Sequence, residues 1–421
     1  MEDELVMERR VVITGMGALT PIGNDVNAFW NNAKEGKLGI DFITLLDKDL
    51  VDVKIAAEVK DFDPDTLIGK KESKRLDRFA QFGLVAADEA IKDSGIDLEK
   101  EDLDRFGVML GSGIGGFETI EDECSKLATG KTKRLTPFFI TKAIINLGAG
   151  NVAIKYGLKG PCTSAVTACA TGTNNIGDAF RTIKHGYADV MLAGGTEASI
   201  TRLAISGFHS MKALNSNNDP KKASIPFDKD RSGFVMGEGA GVVIIESLEH
   251  AEARGANIIA EIVGYGSTCD AYHITSPAPD GSGAAKAMKD AIAEAGIKVE
   301  DVSYINAHGT STPLNDQFET AAIKSAFGEN AYKVPISSTK SMTGHLLGAA
   351  GAIEAILCAK ALQEGFIPPT IGYETKDEEL DLDYVPNVGR KQELEYALTN
   401  SLGFGGHNAT LLLKKFKSVN S

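Results

Sequence analysis

Cys169 lies in the run Thr167-Ala-Cys-Ala-Thr-Gly172, small residues at the predicted N-terminus of a helix over 168–184. Unpaired N–H groups and the helix dipole at such a position lower a thiol's pKa and can donate to a developing oxyanion. The plain alternative is a buried cysteine that packs like alanine. Two histidines stand just past strand-like segments. His308 lies in Asn306-Ala-His-Gly-Thr-Ser-Thr-Pro313 and His345 in Lys340-Ser-Met-Thr-Gly-His-Leu-Leu-Gly348. Parallel-sheet enzymes place reactive groups beyond the carboxyl ends of strands, and two imidazoles converging on one thiol supply a general base and hydrogen-bond donors. A single loop histidine is more often a surface residue; two in the same context point to chemistry. In Asn400-Ser-Leu-Gly-Phe-Gly-Gly-His-Asn408, the glycines allow a sharp turn that presents the N–H of Phe404 inward.

Other motifs carry less. Gly111-Ser-Gly-Ile-Gly-Gly116 formally matches G-x-G-x-x-G after a strand, but the basic run Lys131–Arg134 and Pro137 follow where a second strand and an acidic ribose ligand belong. It reads as a tight structural turn ahead of a dinucleotide site. There is no H-E-x-x-H and no C-x-x-C, so neither a metal nor a disulfide framework is indicated. The five cysteines, Cys124, Cys162, Cys169, Cys269 and Cys358, read as free thiols, with Cys162 structural.

The elements that must hold these groups alternate between β-branched runs and helical periodicity. Strands are predicted at Val11–Thr14, Phe106–Leu110, Asp189–Ala193, Val242–Glu246, Ile258–Tyr265, Tyr304–Asn306, Val334–Ser338 and Thr410–Leu413. Helices are predicted from the Asp77 cap to Ser94, and over 168–184, 283–295, 316–327 and 345–364. Alternation of this kind argues α/β with largely parallel, buried sheets. No linker divides the chain, and the region 255–257 is the best seam, giving halves 1–255 and 256–421.

Composition limits the function. Across 421 residues, 44 Lys+Arg against 58 Asp+Glu give a net charge of −14, which disfavours nucleic-acid binding. The start MEDELVMERR lacks an apolar signal core, and uncharged stretches are broken by Ser, Thr, Asn and Gly, so a cytoplasmic protein with no membrane span is expected.

Taken jointly, Val12–Gly17, Gly111–Gly116, Thr167–Thr171, Gly233–Gly239, Asn306–Pro313, Lys340–Gly348 and Gly403–Gly406 resemble the β-ketoacyl-[acyl-carrier-protein] synthases of bacterial fatty-acid synthesis, from about residue 10 to 415. The run Asp270–Ser276 is more similar to the synthase II branch than to synthase I, and His407 stands where this motif usually has Thr. The resemblance implies a thiolase-like fold, two similar βαβαβαββ halves in a five-layer αβαβα sandwich, usually a homodimer. It implies a Cys169, His308, His345 site in which an acyl group from acyl-ACP loads Cys169 and malonyl-ACP then condenses with loss of CO2. No cofactor is implied beyond the phosphopantetheine on the carrier protein. Lys340 would set the electrostatics; Cys169 and Phe404 would form the oxyanion hole, with Phe404 also the gate. Glu354, Thr310 and Asp316 would support the site, and Asn306, Glu354 and Asn400 resemble a buried monovalent-cation site. Lys70, Lys71, Lys74, Arg75, Lys133, Arg134 and Arg231 resemble the family's carrier-docking residues. The rival readings are a polyketide-type ketosynthase, a CoA-dependent thiolase-like enzyme and a non-catalytic chain-length-factor-like partner. A second histidine at 345 argues against the thiolase, which would have Asn there, and Cys169 against the non-catalytic partner.

Overall fold

The computed structural model describes residues 8–417. Ten strands form its main sheet: β1 (Val11–Leu19), β2 (Phe106–Gly111), β3 (Cys162–Thr163), β4 (Val190–Glu197), β5 (Gly239–Ser247), β6 (Ala260–Cys269), β7 (Val302–Asn306), β8 (Ile336–Ser337), β9 (Tyr396–Gly403) and β10 (His407–Lys415). Their spatial order, β3-β2-β4-β5-β1 followed by β6-β10-β9-β7-β8, reads as one five-stranded pattern and its mirror. In each half the outer pairings, β2 with β3 and β4, and β7 with β8 and β9, are parallel, and the inner ones are antiparallel. The expectation of largely parallel sheets is therefore corrected to mixed sheets. Strands buried on both faces are uniformly apolar whatever their direction, so composition alone cannot distinguish the two.

Six helices complete the halves: α1 (Arg78–Ser94), α2 (Leu147–Tyr156), α3 (Thr171–Lys184), α4 (Ser282–Glu294), α5 (Pro313–Phe327) and α6 (Ala350–Glu364). Each half thus runs βαβαβαββ. The half-sheets share only a short antiparallel seam, Val11–Ile13 against Ala260–Ile262. Helices α3 and α6 pack against each other and against strands of both halves, while α1 and α2 cover one outer face and α4 and α5 the other. The result is five layers, αβαβα. The middle layer is buried on all sides, which explains why α6 is apolar around its circumference apart from Glu354: Ala350 through Ala359 are all buried. The expected seam at 255–257 falls in the loop between the helix Leu248–Ala253 and β6.

Local signals set the ends of these helices. Asp77 caps α1 by accepting the Phe79 N–H, and Gly95 closes it in the left-handed conformation. Two helices start later than predicted. A 3-10 turn, Ala168–Ala170, precedes α3, and another, Leu347–Ala349, precedes α6. His345 therefore lies before the helix in extended chain, bridged to Met236, with its N–H donated to the Val235 carbonyl at 2.7 Å.

Candidate active site

Cys169 sits in the turn that enters α3. Its predecessor Ala168 is in the left-handed region at φ +51°, a costly conformation for a residue with a Cβ and one that turns the thiol out of the chain's path. Thr171 Oγ1 accepts the Thr167 N–H at 2.9 Å, and Thr167 Oγ1 donates to Asn174 at 2.6 Å, so the turn is braced on the helix it starts. The backbone N–H groups of Cys169 and Phe404 lie close enough to the sulfur to favour its charged form. Burial nonetheless pushes the thiol up to about 12, with Glu197 adding to the rise and Lys340 and the two amides opposing it. The expectation of a lowered thiol pKa is thereby corrected: desolvation outweighs the helix end, and the resting group is the thiol.

Both histidines reach this sulfur. Cys169 Sγ and the ligand nitrogens of His308 and His345 all lie within 4.8 Å of one another, and the two rings meet edge to face at 5.3 Å. The loop after β7 carries His308, and Glu319 on α5 fixes it by accepting the N–H groups of His308 and Gly309 at 2.7 and 2.8 Å. His345 accepts the Leu347 N–H on Nδ1 at 3.3 Å, which leaves the proton of the neutral ring on Nε2. Phe234 packs edge-on against the same ring. Burial, then the positive charge of Lys340, hold both imidazoles well below the usual histidine value. At neutral pH both are uncharged donors.

Lys340 itself is buried and ion-paired with the buried Glu354. Glu354 Oε2 and Asn306 Oδ1 are buried and find no hydrogen-bond partner among the described residues, and both residues flank Tyr304. Orphaned oxygens of that kind fit a monovalent cation. Asn400 does not fit: its Oδ1 accepts the Thr410 hydroxyl at 2.8 Å and its amide nitrogen faces Glu319 at 3.4 Å.

A cavity of about 370 Å³ opens onto the three groups, walled by Phe208, Phe234, Leu347 and Phe404, with Thr310 on its rim. Phe404 tops the β9–β10 hairpin, in which Gly403 pairs with His407 and Gly405 takes φ +90°. Gly405 donates to the Ile274 carbonyl and Asp270 to the Gly406 carbonyl, both at 2.8 Å, so the 270–276 loop clasps the turn. A Cβ at Gly403 would come within 2.6 Å of the Thr167 carbonyl, so only glycine lets the hairpin lie against the cysteine turn.

Several expected residues have other surroundings. Asp316 accepts the Phe227 N–H and faces Arg231, bracing the 227–231 segment without reaching the cavity. Arg231 is corrected as a docking residue: its side chain is 7% exposed and engaged by Asp377, Asp316 and the carbonyls of Asp228 and Pro313. Cys162 is corrected from structural to exposed, on the edge strand β3. Lys70, Lys71, Lys74, Arg75, Lys133 and Arg134 are exposed, and Arg75 stacks over Phe138 at 5.7 Å, joining the 70–75 and 133–138 segments into one basic face. The turn 111–116 wraps a protein carboxylate, that of Glu197, which reads against a phosphate site. Sequence reasoning missed both Glu197 and Glu319. An acid at a strand end or on a helix reads as a surface charge, and the only available signal was a cluster of glycines with no ligand.

Residues 8–251 match the family described as "Beta-ketoacyl synthase, N-terminal domain" and residues 259–374 its "C-terminal domain". The 3-oxoacyl-[acyl-carrier-protein] synthase 2 of Staphylococcus aureus (strain COL) is 54% identical over 97% of this chain and 99% of its own length. The synthase of the same name from Synechocystis sp. is 52% identical over 97% and 99%. Among solved structures, a type II PKS ketosynthase in complex with its acyl-carrier protein superposes with a TM-score of 0.90 at 36% identity, covering 97% of this chain and 100% of that one. A β-ketoacyl synthase from Burkholderia phymatum gives 0.89 at 32%, with the same coverage. With both halves of its sequence matched, and relatives above half identity along nearly its whole length, the chain belongs to the β-ketoacyl synthase family.

Proposed function

We propose that the protein is a 3-oxoacyl-ACP synthase of fatty-acid elongation, joining malonyl-ACP to a cysteine-bound acyl group. The observation that carries this reading is the convergence of one buried thiol and two neutral imidazoles on a single cavity, in a chain more than half identical to synthases of that name.

In the first step the Cys169 sulfur attacks the acyl-ACP thioester. The tetrahedral oxyanion sits on the N–H groups of Cys169 and Phe404. The C–S bond to phosphopantetheine breaks, and the departing thiolate takes up the proton lost from Cys169. Malonyl-ACP then enters with its thioester carbonyl hydrogen-bonded to both imidazoles. Because the rings are neutral, they stabilise the enolate left by loss of CO2 without protonating it. The enolate carbon attacks the acyl carbonyl on Cys169 through the same oxyanion hole. Collapse frees the Cys169 thiolate, which regains a proton, and releases a 3-oxoacyl-ACP two carbons longer. Phe404 gates the order of the two steps. No redox cofactor enters; the only prosthetic group is the carrier's phosphopantetheine. A monovalent cation held by Asn306 and Glu354 would offset buried negative charge behind Lys340.

The basic face of Lys70, Lys71, Lys74, Arg75, Lys133 and Arg134 docks the acidic carrier despite the chain's net charge of −14. The protein works in the cytoplasm as a homodimer: among the described residues β3 is left with an unpaired edge on the main sheet, which a second copy can cover.

Mass spectrometry tests this reading. Purified protein receives a ladder of acyl-ACPs, then malonyl-ACP, beside a Cys169→Ala control. Acyl adducts on Cys169 followed by a product two carbons longer are expected. Acylation from CoA alone, or none from either donor, would overturn it.

A further inference from the structure

The fully buried carboxylate of Glu197, at the end of β4, is not part of the cavity lining, yet its charge acts on Cys169. It accepts five hydrogen bonds. Oε1 takes the hydroxyls of Ser112 at 2.7 Å and Ser199 at 3.1 Å and the Ile114 N–H at 3.2 Å; Oε2 takes the N–H groups of Gly113 at 2.8 Å and Gly348 at 2.9 Å. Ser112, Gly113 and Ile114 belong to the glycine-rich turn of the N-terminal half. Gly348 belongs to the turn of the C-terminal half that begins at His345. One carboxylate therefore fastens the two halves together at the point where thiol and imidazole must meet.

The glycines on either side reflect the same contact. A Cβ built at Gly113 or at Gly348 would fall 2.8 Å from Glu197 Oε2, and the one at Gly348 would also come within 2.3 Å of the Gly113 nitrogen. The turn that matches G-x-G-x-x-G is thus shaped around an internal anion. Leu347, between His345 and Gly348, is held at φ +48° and donates its own N–H to His345 Nδ1. A shift of Gly348 is transmitted through Leu347 to the imidazole.

We infer that Glu197 is a positioning residue for condensation, clamping the 112–114 turn to the 347–348 turn and so setting the placement of Cys169 against His345. This inference rests on the condensing function proposed above. The charge of Glu197 also bears on the thiol, opposing ionisation of Cys169, while Lys340 favours it and His308 and His345 face the sulfur as neutral groups. Burial raises the Glu197 carboxyl, and its hydroxyl and backbone donors pull the other way.

Glu197→Gln is the test. Its amide can take the Oε1 side, where the Ser112 and Ser199 hydroxyls can turn to accept. Single-turnover condensation of acyl-Cys169 with malonyl-ACP is expected to slow by up to about 10²-fold, the cost of a small misplacement of reacting groups. KM for acyl-ACP should stay unchanged, because the docking face is not touched. Alkylation of Cys169 by iodoacetamide should shift to lower pH, a readout that needs no condensing activity. If Glu197→Gln does not fold, Ser199→Ala removes one donor but leaves the charge, so condensation should slow by less and the alkylation profile should not move to lower pH. In Glu197→Gln, a wild-type condensation rate and alkylation profile would overturn the assignment; in Ser199→Ala, a wild-type condensation rate would. A wild-type protein that never acylates from acyl-ACP would sink the proposed function instead, and the alkylation shift would still judge Glu197.

Discussion

The ammonium of Lys340 and the carboxylate of Glu354 form an ion pair with each side chain 1% exposed, directly behind the two imidazoles whose protonation Lys340 opposes. Removing one partner of such a pair strands a buried charge and costs about 3–5 kcal/mol. Lys340→Ala should therefore lower stability in urea denaturation by that order. It should also let the His308 and His345 pKa values climb back toward the usual histidine value. Wild-type malonyl-ACP decarboxylation is expected to be flat with pH between 6 and 8, and Lys340→Ala to lose rate on the acid side as the rings become charged. A variant profile as flat as wild type would show that Lys340 does not govern the imidazoles.

His345→Ala should separate the two half-reactions. The oxyanion N–H groups of Cys169 and Phe404 remain, so acyl transfer to Cys169 should stay measurable by mass spectrometry. Decarboxylation should fall by about 10²–10³-fold, the usual cost of removing one hydrogen-bond donor to a developing oxyanion. Equal loss of both half-reactions would contradict the division of labour proposed for the site.

Phe404 supplies a backbone donor to the sulfur and a ring tilted against Phe208 at 6.4 Å. Phe404→Ala keeps the N–H and removes the ring. Acylation rates across a ladder of chain lengths should change in pattern while the oxyanion hole persists. Unchanged kinetics at every chain length would remove the ring from the mechanism.

Charge reversal at Lys74 and Arg75 should raise KM for acyl-ACP and blunt its dependence on salt, since steering by exposed charges is screened over about 10 Å at 0.1 M ionic strength. Arg231→Glu makes a useful contrast. Its buried ion pairs predict lost stability with no specific change in salt dependence. Titrating KM against salt for both variants distinguishes them.

Far from the cavity, His250 bridges Glu246 and Glu101, at 2.6 Å through Nδ1 and 2.8 Å through Nε2. The Glu246 bond, reinforced by the charges of Glu246 and Glu101, raises its pKa against the effect of burial. A raised folded value means the charged ring's stabilisation is fully present below the unfolded value of about 6.5 and fades as pH rises through the folded value. The stability difference between wild type and His250→Gln should shrink on going from pH 6 to pH 9 in urea titrations. A difference constant across that range would exclude a titrating His250.

Much of this architecture was readable in the sequence because each element carries its own signal. Asp77 and Gly95 bracket α1 as predicted, and the β-branched runs mark eight of the strands. Strand direction was not readable, because β5 and β1 are apolar on both faces and would look the same in a parallel sheet. The nucleophile and the two histidines stood out through their small, polar or glycine-rich neighbours. Glu197, Glu319 and the buried state of Arg231 did not, because whether an ionisable side chain faces solvent or a partner is decided by how the chain folds back on it: Glu319 meets the His308–Gly309 loop, Glu197 meets Gly348, and Arg231 meets Asp377.

The turns before α3 and α6 match. Each half enters its central helix through a three-residue 3-10 turn whose first residue, Ala168 or Leu347, is left-handed. By this register the internal counterpart of Cys169 is Gly348. One elbow presents the nucleophile; the other, bare of a side chain, is a rivet hole for Glu197. A Cβ at 348 would fall 2.3 Å from the Gly113 nitrogen, so a thiol there would part the halves that the bare elbow lets close. The two elbows are alike in backbone and cannot exchange roles by a single substitution.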